Sequence, residues 1–219
     1  SDPAPGMSTL PDNCGGCGEC LSACPKNALS PGPEGMRRNK DACTACGVCA
    51  ELCPALAHDA VGRRRTVTEV MAEIQKEVPF FHGTQGGVTF SGGEPLAQPD
   101  FLEALLMACK DMDLHRAVDT SGYASPATVS RVALHADLFL FDLKHMDPEA
   151  HRRLTGVDTA LILSNLRLLA DSGAQIALRL PLVPGMNDDD KNIRRTGLLA
   201  ASLPGVRGID VLPYHASAR

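Results

Sequence analysis

Residues 86–95 read "GGVTFSGGEP". A short β-rich run, Val88-Thr89-Phe90, breaks into Ser91-Gly92-Gly93-Glu94, so a strand ends where small and charged residues begin. The same event recurs downstream. "HRAVDTSG" is a strand ending at Asp119, "DLFLFDLK" a near-continuous apolar strand ending at Asp142, and "QIALRLPLV" and "VRGIDVLPYH" are two more. Helical patterns separate them: "DFLEALLMACKDM", "SPATVSRVALH", "ALILSNLRLLADSG" with Gly173 as its stop, and "DDDKNIRRTGLLAASL". Strictly alternating strand and helix, with apolar strands, predicts a parallel sheet covered by helices.

Two architectures fit that alternation, and the strand ends choose between them. Ser91-Gly92-Gly93-Glu94, Asp119-Thr120-Ser121-Gly122, Asp142-Leu143-Lys144, Arg179 and Tyr214-His215 each sit at or near the C-terminal end of a strand. Chemistry gathered from five strands at one rim is what a (β/α) barrel mouth provides. A dinucleotide-binding sheet concentrates its signal in one glycine loop, and no G-x-G-x-x-G follows a strand here. Each rim residue has a plain reading alone: a turn for Gly92-Gly93, a surface pair for Asp142 and Lys144, a satisfied core histidine for His215. Their convergence on one rim favours a site.

Upstream, Thr66 and Glu69 form the S/T-x-x-E capping box, and Val67, Val70, Met71, Ile74 and Val78 mark the apolar face of the helix it opens. Before it the composition changes. "CGGCGECLSACP" (14–25) and "CTACGVCAELCP" (43–54) hold eight of the nine cysteines, each run spaced Cys-x2-Cys-x2-Cys-x3-Cys-Pro. Cys-x2-Cys loops are poor disulfide geometry. One zinc ion would explain two separated pairs, not triplets followed by a fourth cysteine and proline. The spacing is that of two-cluster ferredoxins, in which the fourth cysteine ligates the other cluster. The sets then cross over: Cys14, Cys17, Cys20 and Cys53 hold one 4Fe–4S cluster; Cys43, Cys46, Cys49 and Cys24 hold the other. Gly15, Gly16, Gly18 and Gly47 allow tight turns around them. Cys109 lies on the apolar face shared with Leu102, Leu105 and Leu106, so it reads as a core residue.

Composition narrows the partners. The 219 residues are 44% hydrophobic and 21% charged with a net charge of −5, which gives no sign of a nucleic-acid binder. The basic run Arg63-Arg64-Arg65 reads as a solvated linker, no apolar stretch nears the ~20 residues of a membrane span, and the N-terminus lacks the marks of an export signal. The expected domains are 1–64, carrying the clusters, and 65–219, carrying the barrel strands.

With "GGVTFSGGEPL", the two cysteine runs, "DTSG", "DLKHMDPEAHRRLTG", "LRLPLVPGMNDD" and "LPYH" in this order, the chain resembles the glycyl-radical-enzyme activating enzymes of the radical S-adenosylmethionine superfamily, in the subgroup with a two-cluster ferredoxin-like insertion. The resemblance implies an α/β fold: a partial radical SAM (β/α) barrel with the ferredoxin-like insert at its N-terminal side. It also implies a reaction. A reduced 4Fe–4S cluster passes one electron to S-adenosylmethionine, which yields methionine and a 5′-deoxyadenosyl radical. That radical takes a hydrogen atom from a backbone glycine of a partner glycyl radical enzyme. A flavodoxin or ferredoxin is the implied electron donor, and an anaerobic cytoplasm the implied setting, with no membrane or nucleic-acid partner.

Residue by residue, Gly92, Gly93 and Glu94 resemble the motif that holds the cofactor's methionine moiety, the carboxylate receiving its ammonium. Asp142 and Lys144 match the strand end facing the cofactor, with Lys144 offered to its carboxylate. Asp119 and Thr120, with Asp142, match a monovalent-cation site, and Arg179 and His215 match rim positions around the nucleoside. The family's own Cys-x3-Cys-x2-Cys motif, which binds the third cluster that reduces the cofactor, is not in this chain. The expectation is that it and the first barrel strand precede Ser1, that a further helix follows the last strand, and that the chain alone is inactive. Two rival readings use the same features: a two-cluster electron carrier on an unrelated scaffold, and a radical enzyme acting on a small molecule.

Overall fold

The computed structural model describes residues 6–81, 83–84 and 86–214. The chain divides into two compact units at residues 65 and 66.

The N-terminal unit contains strand β1 (Gly6–Thr9), helix α1 (Glu19–Ala23), the strands β2 (Leu29–Gly32) and β3 (Gly35–Arg38), helix α2 (Val48–Glu51) and strand β4 (His58–Val61). β1 pairs antiparallel with β4, and β2 with β3. The unit is an internal duplication. Each cysteine run enters a short helix through a glycine in the left-handed region, Gly18 before α1 and Gly47 before α2. Its small core is Cys20, Leu29, Met36 and Cys49, with Met7, Cys14, Leu21 and Cys24 packed against it. So small a core leaves folding dependent on what the cysteines bind.

The C-terminal unit opens with helix α3 (Val67–Phe81), followed by β5 (Gly87–Phe90), α4 (Pro99–Asp111), β6 (His115–Thr120), α5 (Pro126–Ala133), β7 (Leu138–Asp142), α6 (Pro148–Thr155), α7 (Ala160–Asp171), β8 (Ile176–Leu182), α8 (Asp190–Ser202) and β9 (Val206–Pro213). The capping box at its start is formed: Glu69 Oε2 accepts from the Thr66 amide at 2.7 Å, and Thr66 Oγ1 from the Glu69 amide at 3.2 Å.

The five strands make one sheet in sequential order, β5-β6-β7-β8-β9, every pair parallel. A doubly wound sheet reverses its strand order at a switch point; this one never does. With crossovers of constant hand, a sequential order puts the helices on one face, as in a barrel segment. On that face Val118, Phe139, Phe141, Ile176 and Leu178 are buried with Leu102, Leu105, Leu106, Cys109, Val129, Leu166 and Leu169. Each such side chain contributes roughly 1.5–3 kcal/mol on leaving water. Cys109 is fully buried among them, 3.9 Å from Met71 Sδ, and burial pushes its thiol up from the ordinary value.

The segment 148–155 carries no strand-helix signal of its own in the alternating pattern, yet forms α6. Asp147 caps it through the Glu149 and Ala150 amides, Pro148 starts it, and Gly156 at φ 83° ends it. These are ordinary helix start and stop signals on a polar sequence, which hydrophobic periodicity overlooks.

Candidate functional site: a polar strand-end rim and two cysteine-lined cavities

Because all five strands run the same way, their C-terminal ends meet at one edge, and one open cavity lies there. It is lined by Ser91, Gly92, Gly93, Glu94, Asp119, Thr120, Ser121, Asp142, Lys144, His151 and Arg179, among others. Of the rim residues expected from sequence, the cavity gathers Ser91, Gly92, Gly93, Glu94, Asp119, Thr120, Ser121, Asp142, Lys144 and Arg179; Gly122, Leu143 and Tyr214 do not line it, and His215 lies outside the described residues. Gly92 has φ 120°, a conformation closed to other residues, and nothing stands near where a Cβ would project. Gly122, at φ 70°, has no such room: a Cβ there would enter the Phe141 ring.

Arg179 organises the charges. It donates Nη1 to Asp119 Oδ2 at 2.9 Å and Nε to Asp142 Oδ1 at 3.0 Å. Asp119 also accepts from Ser91 Oγ at 3.1 Å, and Lys144 Nζ lies 3.5 Å from Asp142 Oδ2. Burial alone would push the guanidinium down, and Asp142 and Asp119 more than reverse this, holding it above its ordinary value. Lys144 is the exposed member, with 40% of its side chain open against 16–22% for Asp142, Asp119 and Arg179. One cation is therefore committed to the wall, and the other is available to a ligand.

Glu94 differs from its expected part. Its Oε1 accepts from Thr120 Oγ1 at 2.6 Å and the Leu96 amide at 3.1 Å, and its Oε2 from Ser121 Oγ at 2.6 Å and the Ser121 amide at 3.0 Å. Four donors fill the four acceptor positions of a carboxylate, so none is left for a ligand's ammonium. In this arrangement Glu94 fastens the glycine loop after β5 to the loop after β6.

Three buried asparagines, absent from the sequence reading, hold the remaining loops. Asn165 Nδ2 donates to the carbonyls of Gly122 and Ala124 at 2.9 and 2.8 Å. Asn187 Nδ2 donates to Lys144 O and Pro181 O at 2.8 and 2.7 Å, and Asn192 joins Asn187 O to the Met146 amide. Asn187 could have been suspected from its place in "PGMNDD"; Asn165, inside a regular helix pattern, gives no signal.

The eight cysteines of the N-terminal unit fall into two sets. One cavity is lined by Cys14, Cys17, Cys20 and Cys53, the other by Cys24, Cys43, Cys46 and Cys49. Among the described residues no three His, Cys, Asp or Glu side chains converge on a single-ion site. Each set rims a hollow, which suits a multi-iron cluster better than one zinc ion. The Ala28 amide points at Cys24 Sγ and the Ala57 amide at Cys53 Sγ, both at 3.3 Å. The amides of Ala28 and then Lys26 hold the Cys24 thiol below its ordinary value, favouring the thiolate that ligates iron. Burial pushes Cys20 the other way, reinforced by Cys14 and Cys17 beside it, so that set gains from a cationic core.

Comparison with known proteins agrees with this geometry. Residues 41–196 match the Radical SAM superfamily, and residues 13–57 a 4Fe-4S dicluster domain. The trans-4-hydroxy-L-proline dehydratase activating enzyme of Clostridioides difficile is 41% identical over 93% of this chain and 68% of its own length. The choline trimethylamine-lyase activating enzyme of Oleidesulfovibrio alaskensis is 40% identical over 92% and 67%. The chain spans about two thirds of the length of these curated relatives. Among solved structures, a domain of a pyruvate-formate lyase-activating enzyme from Bacteroides vulgatus superposes with a TM-score of 0.57 at 43% identity, covering 60% of this chain and 82% of that one. Streptococcus suis SuiB bound to S-adenosylmethionine shares the fold, with a TM-score of 0.60 at 15% identity, over 72% of this chain and 36% of that one. The chain belongs to the radical SAM superfamily, within its glycyl-radical-enzyme activating enzymes that carry a 4Fe–4S dicluster domain.

Proposed function

We propose that the protein carrying this chain activates a glycyl radical enzyme: it cleaves S-adenosylmethionine reductively and removes a hydrogen atom from a glycine of its partner. The observation that carries this reading is the convergence of Gly92, Gly93, Asp119, Asp142, Lys144 and Arg179 on one strand-end cavity, in a chain whose other unit has eight cysteines in two cavity-lining sets. When bound, S-adenosylmethionine supplies the hydrogen-abstracting species and the clusters supply electrons. The chain's own residues bind and orient. Gly92 and Gly93 let the backbone approach the methionine moiety, and Lys144 offers its ammonium to the cofactor's carboxylate. Glu94 serves by keeping the loops after β5 and β6 in register. Arg179 would stand toward the cofactor's nucleoside, a part the family resemblance also assigns to His215, which lies outside the described residues.

A monovalent cation bound by Asp119, Thr120 and Asp142 would share both carboxylates with Arg179. The clusters held by Cys14, Cys17, Cys20 and Cys53 and by Cys24, Cys43, Cys46 and Cys49 would relay electrons from a flavodoxin or ferredoxin toward a third cluster that binds the cofactor. Oxygen-sensitive chemistry of this kind fits an anaerobic cytoplasm. The dehydratase, choline lyase and pyruvate formate-lyase named with its relatives give the class of partner; which member this protein serves is open to experiment.

The test is anaerobic incubation of the reduced full-length protein with S-adenosylmethionine and candidate glycyl radical enzymes. Cofactor cleavage together with a glycyl radical EPR signal on one partner is the expected outcome. No cleavage contradicts the reading, and cleavage with no radical on any partner favours a small-molecule substrate. Replacing Cys46 and Cys49 by Ala in that protein should abolish activity with the physiological donor; unchanged activity rules out the relay.

A further inference from the structure

The duplicated cluster unit is not symmetric in charge. Its halves correspond closely along the backbone. The Asn39 amide donates to Ala28 O as the Leu10 amide donates to Ala57 O, both at 2.8 Å, and the Ala28 and Ala57 amides make matching bonds to Cys24 and Cys53. Thr9 stands opposite His58, and Arg38 opposite Leu29. Thr9 precedes Cys14 by five positions, and Arg38 precedes Cys43 by five. At one matched position, then, one half carries a neutral hydroxyl and the other a guanidinium.

That guanidinium is turned onto sulfur. Arg38 Nη1 lies 3.5 Å from Cys43 Sγ and 3.6 Å from Cys49 Sγ, and Nη2 lies 3.6 Å from Cys49 Sγ. Nη2 is held there by Thr9 Oγ1 at 3.1 Å and His58 Nδ1 at 3.0 Å. Arg38 lines the cavity of Cys24, Cys43, Cys46 and Cys49 and not the other. Among the described residues no side-chain donor reaches Cys14, Cys17, Cys20 or Cys53.

A cluster gains negative charge on reduction, so a fixed cation and N–H bonds to its sulfurs stabilise the reduced form and raise its potential. The effect falls with distance, so it is larger at the set Arg38 touches. We infer that Arg38 raises the reduction potential of the cluster held by Cys24, Cys43, Cys46 and Cys49 above that of its twin, so that a single electron entering the unit rests on the Arg38 side. The exchange is balanced within the unit: the electron lost by one cluster is the one gained by the other. This inference rests on the two-cluster reading above.

The experiment is EPR-monitored potentiometry of the iron-loaded chain. Iron content and spin count come first: fewer than two clusters per wild-type chain overturns the two-cluster reading itself. With two present, the wild type should show two separated midpoints. Arg38→Gln should lower the higher one and leave the other nearly in place, while Arg38→Lys, which keeps the charge, should stay near wild type. In a Cys46→Ala background, which removes the cluster beside Arg38, the Gln change should move nothing. A merely structural Arg38 predicts otherwise, and both potentials unmoved, or both moved equally, overturns the inference. Should Arg38→Gln not retain its irons, Arg38→Met, which removes the charge and keeps the aliphatic bulk, decides: a higher midpoint lowered toward its twin's upholds the inference, and one unmoved overturns it.

Discussion

Asp142 and Arg179 are paired in register across the adjacent strands β7 and β8, and Arg179 Nε donates to Asp142 Oδ1 at 3.0 Å. The same guanidinium bonds Asp119 on β6, so one cation spans three strand ends. Removing it leaves two mostly buried carboxylates facing each other. Arg179→Met should cost about 2 kcal/mol of stability, the scale of a lost charged hydrogen bond with its partner stranded, measured by denaturant unfolding of the iron-loaded chain. Binding of S-adenosylmethionine should weaken with it. A chain of undiminished stability would show that the bridge is incidental.

Asn165 is fully buried and donates to two carbonyls of the loop that follows β6. Asn165→Ala strands both carbonyls and should destabilise by about 2 kcal/mol. Because that loop forms one wall of the cavity, cofactor affinity should fall as well. Asn165→Leu, similar in bulk, should do no better, since the loss is in hydrogen bonds rather than volume.

Acid sensitivity should map to Asp137. Burial pushes its carboxyl up, but the Arg116 side chain, bonded at 2.6 and 2.8 Å, and the Arg116 amide at 2.8 Å outweigh burial and hold it below the ordinary value. Its contribution is therefore complete above the unfolded-state pKa near ~4 and is lost as pH falls through the lower folded-state value. With a third of the side chain exposed, that contribution is about 1 kcal/mol after screening. Asp137→Asn should flatten this part of the stability–pH curve below pH ~4; an unchanged slope would assign it to other carboxylates.

The crossed cysteine sets make a spectroscopic prediction. Cys24→Ala and Cys46→Ala should spare the same cluster, giving matching EPR spectra, and Cys53→Ala should match Cys17→Ala. Matching of Cys24→Ala with Cys17→Ala would restore an uncrossed assignment.

The strand and helix alternation and the polar strand ends were legible because a parallel sheet leaves apolar runs that stop at its functional edge. The cysteine spacing was equally legible, since cluster ligation fixes loop length. What escaped was contact information. Glu94 reads as a free carboxylate until its partners Thr120 and Ser121, 26 and 27 residues away, are seen to fill it. Asn165 looks like any helix residue, and Arg38 like one more surface cation, because their partners lie 43 and 11 positions distant. Helix α6 escaped for the opposite reason: its cues are local caps, while its sequence lacks an apolar stripe.

Hydrogen abstraction from a partner's glycine is tested most directly by isotope transfer. The reduced full-length protein is incubated with S-adenosylmethionine and a partner glycyl radical enzyme deuterated at the glycine α-carbon, and the 5′-deoxyadenosine is weighed by mass spectrometry. One deuterium per nucleoside is the predicted result. Nucleoside formed without deuterium would contradict the account.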